Sequence, residues 1–361
     1  EPDFDTPQNI CLAAVRAIND GQTRYVPGKG TQALQQAIID KFKRDNNLSY
    51  SLDEIMVGVG GKHIIYNVMM ATLDQNDEVI IPAPYWVSYP DIVLLAGGRP
   101  VIVTCDLNQE FKISPQQLEQ HINDNTKWLM LNSPSNPTGA IYTYGELKEL
   151  AKILLKYPQV LILSDDIYEK ILYDNVEFHT IAEVEPELKD RTITMNGVSK
   201  AYCMTGWRLG YCGGPKEIIA GMNKIQSQST TSTSSITMAA AVEALNGNQD
   251  FIKVHNQQFL KRRDMVIEKL NNIPGIVCNT PQGAFYVYPS CAGCIGKKTP
   301  DGKTITSDEN FMNYLLDSEG IAGVHGEAFG LSPFFRLSYA TNEQTLNDAC
   351  DRIMKACKKL I

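Results

Sequence analysis

The chain has 361 residues, 43% of them hydrophobic and 20% charged, with a formal net charge of −8. That length and make-up suit a globular protein with one large domain and a smaller one, and the acidic excess argues against a nucleic acid or an anionic membrane as the main partner, though not against a local basic pocket for small acidic molecules. No apolar run approaches the roughly 20 residues that span a bilayer, and nine cysteines spread through a long chain read as reduced thiols of a cytoplasmic protein.

The chain opens on Glu1-Pro2-Asp3-Phe4-Asp5, which carries no secretory leader pattern and reads as the interior of a longer sequence. Thr31–Arg44 has helical period, with Ala33, Leu34, Ala37, Ile38 and Phe42 apolar. Ile55–Val59 is strand-like and runs into Gly60-Gly61-Lys62, then a helix from His63 to about Leu73. Strand patterns at Glu78–Ile81, Trp128–Leu131 and Val160–Leu163 end in Pro82-Ala83-Pro84-Tyr85-Trp86, in Asn132–Gly139 and in Ser164-Asp165-Asp166-Ile167-Tyr168. Glu146–Lys156 is helical, and the short run Thr192–Met195 leads into Asn196-Gly197-Val198-Ser199-Lys200.

This alternation predicts an α/β fold: a large, mostly parallel sheet with helices on both faces. After residue 285 the texture changes. Phe285–Tyr288 and Phe334–Tyr339 read as strands, Ser307–Ser318 and Asn342–Leu360 as helices. Residues 13–285 are therefore predicted to form the large domain, and residues 1–12 with 286–361 a smaller α+β domain. Cys291 and Cys294 form a lone Cys-x-x-Cys with no second ligand pair, and Cys291–Lys303 is predicted to be a surface loop rather than a zinc site.

Gly60, Trp86, Asn136, Asp165 and Lys200 each fall just past the carboxyl end of a predicted strand, the edge at which open α/β sheets bind ligands. A lysine there can form a Schiff base with a carbonyl, and Arg208, eight residues on, can grip a phosphate with two parallel bonds. Together they point to a cofactor that is both aldehyde and phosphate ester, pyridoxal 5′-phosphate (PLP). Asp165 suits a protonated pyridine nitrogen, although it could equally cap a helix. Asn136, between Pro134 and Pro137, is a constrained amide; Tyr168 could donate to the same oxygen or be a core tyrosine. Gly60 and Gly61 opening a helix make an anion nest, with Lys62 a cation beside it. Trp86 could stack on a ring or pack in a core. Arg336, within an apolar strand, needs an anion, either a substrate carboxylate or an internal acidic side chain.

As an ordered set, Asn136-Pro137-Thr138-Gly139, Ser164-Asp165-Asp166-Ile167-Tyr168-Glu169, Ser199-Lys200-Ala201-Tyr202, Met204-Thr205-Gly206-Trp207-Arg208 and Phe335-Arg336-Leu337-Ser338 resemble the class I aminotransferases of PLP fold type I. Within that class, Gly60-Gly61-Lys62, Pro84-Tyr85-Trp86-Val87-Ser88-Tyr89-Pro90 and Ser227–Ser232 are most similar to the bacterial Ib aspartate aminotransferases, some of which accept prephenate. The resemblance implies that Lys200 is the Schiff-base lysine and proton carrier, that Asp165 meets the pyridine nitrogen, and that Asn136 and Tyr168 bond the 3′-oxygen. It implies that Trp86 stacks on the ring, that Arg208 with the Gly60 and Gly61 amides holds the phosphate, and that Tyr25 reaches the phosphate of a neighbouring subunit in a homodimer. Arg336 and Lys62 would clamp the two carboxylates of aspartate or glutamate, with Trp86 and Asn136 beside the substrate, in a ping-pong transfer to 2-oxoglutarate.

Two positions depart from the family pattern. Asp166 stands where many members have Glu, and Gly197 stands where many carry a phosphate-binding hydroxyl, so Ser199 is not assigned to the phosphate by pattern alone. A PLP-dependent lyase on the same scaffold, or an aminotransferase-like ligand sensor within a transcription regulator, are the competing readings of the motifs.

Overall fold

The computed structural model describes residues 1–361. Its larger sheet has seven strands: β1 (Ile55–Gly58), β2 (Glu78–Ala83), β3 (Arg99–Thr104), β4 (Thr126–Asn132), β5 (Leu161–Asp165), β6 (Thr192–Gly197) and β7 (Gly210–Gly213). Their spatial order is β1-β7-β6-β5-β4-β2-β3. All neighbours from β6 to β3 are parallel; β7 alone runs backwards, antiparallel to both β1 and β6.

The period of two along each strand divides its side chains between two cores. Val79, Ile81, Met130, Leu163 and Met195 meet Ile64, Val68 and Met69 of the helix Gly61–Thr72, and Ile219 and Met222 of Lys216–Ser229. Ile80, Leu129, Leu131 and Ile162 point the other way, onto Leu147, Leu150 and Leu154 of the helix Tyr144–Lys156. Burial on both faces explains why these strands read as unbroken apolar runs.

A small sheet of β8 (Tyr286–Val287), β9 (Val324–His325) and β10 (Phe335–Ser338) has the order β8-β10-β9, all antiparallel. It packs by aromatic contacts on the helix Asp250–Asn271, whose Phe259 meets Phe285 and Tyr339 at centroid distances of 5.5 and 6.5 Å. No helix of the chain is long and apolar enough to cross a membrane.

Most predicted elements are present, with ends shifted by a residue or two. Thr31 caps the helix Gln32–Asn46, accepting from the Leu34 N–H at 3.3 Å, and Ser307 caps Asp308–Glu319. The edge strand β3, the reversed β7 and the helices Gln8–Asn19, Ser235–Asn246 and Asp250–Asn271 were not resolved by the sequence pattern. The helix Gln8–Asn19 runs through residue 13 and packs on Ser235–Asn246.

The segment from Cys291 to Lys303 does run over the surface, with Ala292, Gly293, Gly296, Lys298 and 300–303 exposed, but Cys291 and Cys294 within it are fully buried. They lie on a single 3₁₀ turn, Ala292–Cys294, where Gly293 and Gly275 let two backbones touch and turn both thiols inward. All nine cysteines are free.

Candidate active site

A cavity of 330 Å³ opens at the carboxyl edge of the large sheet and gathers Lys62, Trp86, Asn136, Asp165, Lys200 and Arg336. Strand direction explains the meeting. The loops after β2, β4, β5 and β6 carry Trp86, Asn136, Asp165–Tyr168 and Lys200 to one edge. Because β7 is reversed, Arg208, which precedes it, arrives at that same edge.

At the base of the cavity Asp165 is 3% exposed. Its Oδ2 accepts a 2.6 Å bond from the Tyr89 hydroxyl, and its Oδ1 a long 3.3 Å bond from the Ile167 N–H. The second contact closes a turn: no helix follows Asp165, so the helix-cap alternative left open by the sequence is not realised. Burial pushes the Asp165 carboxyl up to about 6, against the lowering effects of the Tyr89 and Ile167 bonds and the Lys200 charge. Asp166 points away from the cavity, is 1% exposed, and takes the Ser164 hydroxyl at 2.7 Å. Burial lifts it to about 8.

Lys200 lies 5.7 Å from the centre of the Tyr168 ring and 5.8 Å from that of Phe285. Its amine is held below the ordinary lysine value, first by burial and then by the Arg336 charge, with Glu1 and Asp165 opposing and Arg208 adding to the fall. A larger neutral fraction is what a nucleophilic, proton-carrying lysine needs.

Asn136 is aimed by two bonds. Its backbone N–H meets Asn132 Oδ1 at 2.8 Å, and its own Oδ1 accepts from Arg336 Nη1 at 2.9 Å, which leaves Nδ2 as the free donor. Arg336 is sandwiched between the Tyr286 and Phe329 rings, 4.7 and 5.0 Å from their centroids, and pairs with no acidic side chain of the chain. The internal salt bridge that could have explained it is absent. The Tyr168 hydroxyl is 2.9 Å from that of Tyr286. The next residue, Glu169, is buried and ion-paired with Lys41, which anchors this loop to the helix Gln32–Asn46.

At the other end, Arg208 has a left-handed backbone (φ 57°) and is tied by its guanidinium to the Thr205 carbonyl at 2.8 Å. Gly60 lies beside it with φ 87°, and a Cβ there would strike the Arg208 guanidinium, so only glycine permits the approach. The N–H groups of Gly61 and Lys62 open the helix Gly61–Thr72 and have no partner within it. Two free amides, a helix N-terminus and an arginine form an anion cradle. Ser199 lines the cavity, while a side chain at Gly197 would meet Ile167 and the Leu209 carbonyl. A side chain at position 197 would therefore need Ile167 to move aside.

Lys62 is exposed, 4.9 Å from the centre of the Trp86 ring, which itself meets Tyr89 edge-on at 5.6 Å. Tyr25 is 93% exposed and is not brought to the cavity within one chain. Sequence reasoning missed Tyr89, Tyr286 and Phe329. Tyr89 had a signal, three residues past Trp86 at a strand's carboxyl end, whereas Tyr286 and Phe329 acquire a role only when the small sheet docks.

The fold and the cavity define an α/β scaffold whose one cavity gathers a lysine amine, a buried carboxylate and two arginines. The model of the aminotransferase class I and II family matches residues 1–353, and the chain belongs to that family. It is 56% identical to the probable aspartate/prephenate aminotransferase of Rhizobium leguminosarum bv. phaseoli, over 99% of this chain and 89% of that one. It is 54% identical to the aspartate/prephenate aminotransferase of Cereibacter sphaeroides, over 100% of this chain and 90% of that one. The crystal structure of the aspartate aminotransferase from Rhizobium meliloti superimposes with a TM-score of 0.98, at 52% identity, covering 100% of this chain and 90% of that one.

Proposed function

We propose that the chain is a PLP-dependent aminotransferase that moves the amino group of aspartate to 2-oxoglutarate, yielding oxaloacetate and glutamate in two half-reactions at one site. The observation that carries this reading is a single cavity in which a depressed lysine amine and a buried carboxylate lie between the anion cradle at Arg208 and the unpaired Arg336. The residues present fit the cofactor. When bound, it supplies an aldehyde for amine condensation and a protonated ring that withdraws electrons from the substrate α-carbon.

The chain's own groups do the rest. Asp165 would accept from the ring nitrogen and keep its proton there. Asn136 Nδ2 and the Tyr168 hydroxyl would donate to the ring oxygen, and Trp86 would cover a ring face. Arg208 and the Gly61 and Lys62 amides would hold the phosphate, with the Gly60 turn admitting it. Lys200 Nζ, in its neutral form, takes the α-proton of the substrate and returns it to the neighbouring carbon. Arg336 grips the α-carboxylate with its flat fork, and Lys62 meets the second carboxylate. A two-point clamp discriminates dicarboxylates more sharply than a single cation can.

Exposed Leu12, Val15 and Ile18 form a stripe along one helix, close in sequence to exposed Tyr25, which supports a homodimer with sites completed across the interface. We read residues 13–285 as the cofactor-holding domain, and 1–12 with 286–361 as the part that carries Arg336. A cytoplasmic location fits the nine free thiols. Prephenate as a second amino-group acceptor is favoured by the names of two relatives.

The test is spectral and kinetic. PLP added to the protein should give an aldimine band, shifted from that of the free aldehyde, that Lys200→Ala replaces with the band of the free aldehyde, and aspartate with 2-oxoglutarate should give parallel double-reciprocal plots. No band, or no oxaloacetate, overturns the reading.

A further inference from the structure

Within the cofactor reading above, on which this step rests, we infer that Tyr89 is a positioning residue for the transamination step. Its hydroxyl holds the Asp165 carboxylate ionised and in one orientation, so that the carboxylate pairs with a ring cation without removing its proton.

Tyr89 belongs to the helix Ser88–Leu95, immediately after the loop that carries Trp86. Its ring is 2% exposed and packs in the core between the large sheet and the helix Gly61–Thr72. Only the hydroxyl reaches the cavity edge, where it meets Asp165 Oδ2 at 2.6 Å. That length is characteristic of a hydroxyl donating to an ionised carboxylate. The other bond to the carboxylate, from the Ile167 N–H, is 3.3 Å long and weak by comparison. Tyr89 is therefore the strong donor, and with Oδ2 engaged the carboxylate cannot rotate.

The groups that face Asp165 leave this task to Tyr89. Lys200 acts on it as a nearby charge, and Tyr168 bonds Tyr286 instead. Asp166 turns away to Ser164, and the Asn132 amide binds the Asp165 backbone carbonyl at 2.9 Å. Among the effects that oppose burial at Asp165, the Tyr89 bond is the largest. Burial and the neighbouring carboxylate hold the phenol well above its ordinary range, so Tyr89 remains a donor at any working pH.

Without the hydroxyl, Asp165 becomes more basic and draws the ring proton towards itself. The ring then withdraws electrons less well. Tyr89→Phe keeps the buried ring and deletes only the donor. For aspartate, kcat should fall by about tenfold to a hundredfold, the span of a hydrogen bond to a charged group, while KM stays within about twofold because Arg336 and Lys62 are untouched. The pH midpoint of the bound cofactor's visible band should move to higher pH, since loss of ring charge raises the proton affinity of the conjugated nitrogen. The PLP dissociation constant of the apoprotein should rise about tenfold.

Two comparisons separate this role from a structural one. In an Asp165→Asn background, Tyr89→Phe should leave the dissociation constant unchanged, since its effect runs through the carboxylate. Replacing Tyr89 by 3-fluorotyrosine, of nearly the same shape but a stronger donor, should move the midpoint the opposite way and guards against a folding defect in Tyr89→Phe. A Tyr89→Phe protein with unchanged kcat and midpoint overturns the inference, as does an equal loss of affinity in both backgrounds. No cofactor band in the unsubstituted protein overturns the parent reading as well; a normal band with an indifferent Tyr89→Phe overturns this step alone.

Discussion

At the base of the cavity Asp165 and Tyr89 are buried and bonded at 2.6 Å, whereas at the rim Lys62 and Arg208 are exposed and Tyr25 is 93% exposed. The base is finished within one chain: its charge has a donor, its orientation is set by the sheet, and burial sharpens every interaction there. Lys62 and Arg208 at the rim have no acidic partners, which is what an anion-binding surface looks like before its ligand arrives. Exposed charges contribute little by themselves, so the rim should govern selectivity and the base should govern chemistry.

The comparison breaks most sharply at Lys200, between the two regions. Lys200→Ala should lower kcat by roughly 10⁴-fold, the upper range for loss of a proton-transfer group, with PLP still retained noncovalently; single-turnover kinetics with aspartate check this. A smaller loss would mean that another base acts. Arg336→Lys keeps the charge but not the fork, and should cost about 1.5 to 3 kcal/mol in kcat/KM for aspartate, measured by steady-state kinetics.

The pH dependence of cofactor affinity tests the base directly. Asp165 rests at about 6 in the free protein, so below that pH it carries a proton that must leave when a ring cation pairs with it. PLP affinity should therefore weaken as pH falls through about 6, by about tenfold from pH 7 to pH 5 for a single linked proton. Asp165→Asn should flatten this step, as read by titration of the apoprotein. Smallest of all, Lys62→Ala should reduce kcat/KM for aspartate about fivefold, the worth of an exposed ion pair near 1 kcal/mol, and leave a monocarboxylic donor such as alanine unchanged. An equal loss for both donors would remove Lys62 from the clamp.

Much of this was legible in the chain. The unbroken apolar runs at β4 and β5 announced strands buried on both faces, and Thr31 and Ser307 announced helix starts. Asn136, Asp165, Lys200 and Arg208 were legible as a group because each follows or precedes a strand, and the structure brings all four to one cavity. The four-residue β7 was not, since Gly210-Tyr211-Cys212-Gly213 carries no periodic signal, and its reversal is what delivers Arg208. The inward turn of Cys291 and Cys294 was equally hidden, because it depends on Gly275 approaching Gly293 from another segment.

Local pattern, acting through period, capping and turn chemistry, determined by itself the class of fold and the strand ends at which the cavity's polar side chains lie. Only the tertiary structure decided which side chains answer one another: Tyr89 to Asp165, Tyr286 to Tyr168 and Arg336, Gly60 to Arg208. The reason is physical. Propensity and capping act over a few residues along the chain, whereas hydrogen bonding and charge pairing act over a few ångströms in space, and residues 76 apart, such as Tyr89 and Asp165, become neighbours only after the sheet has formed.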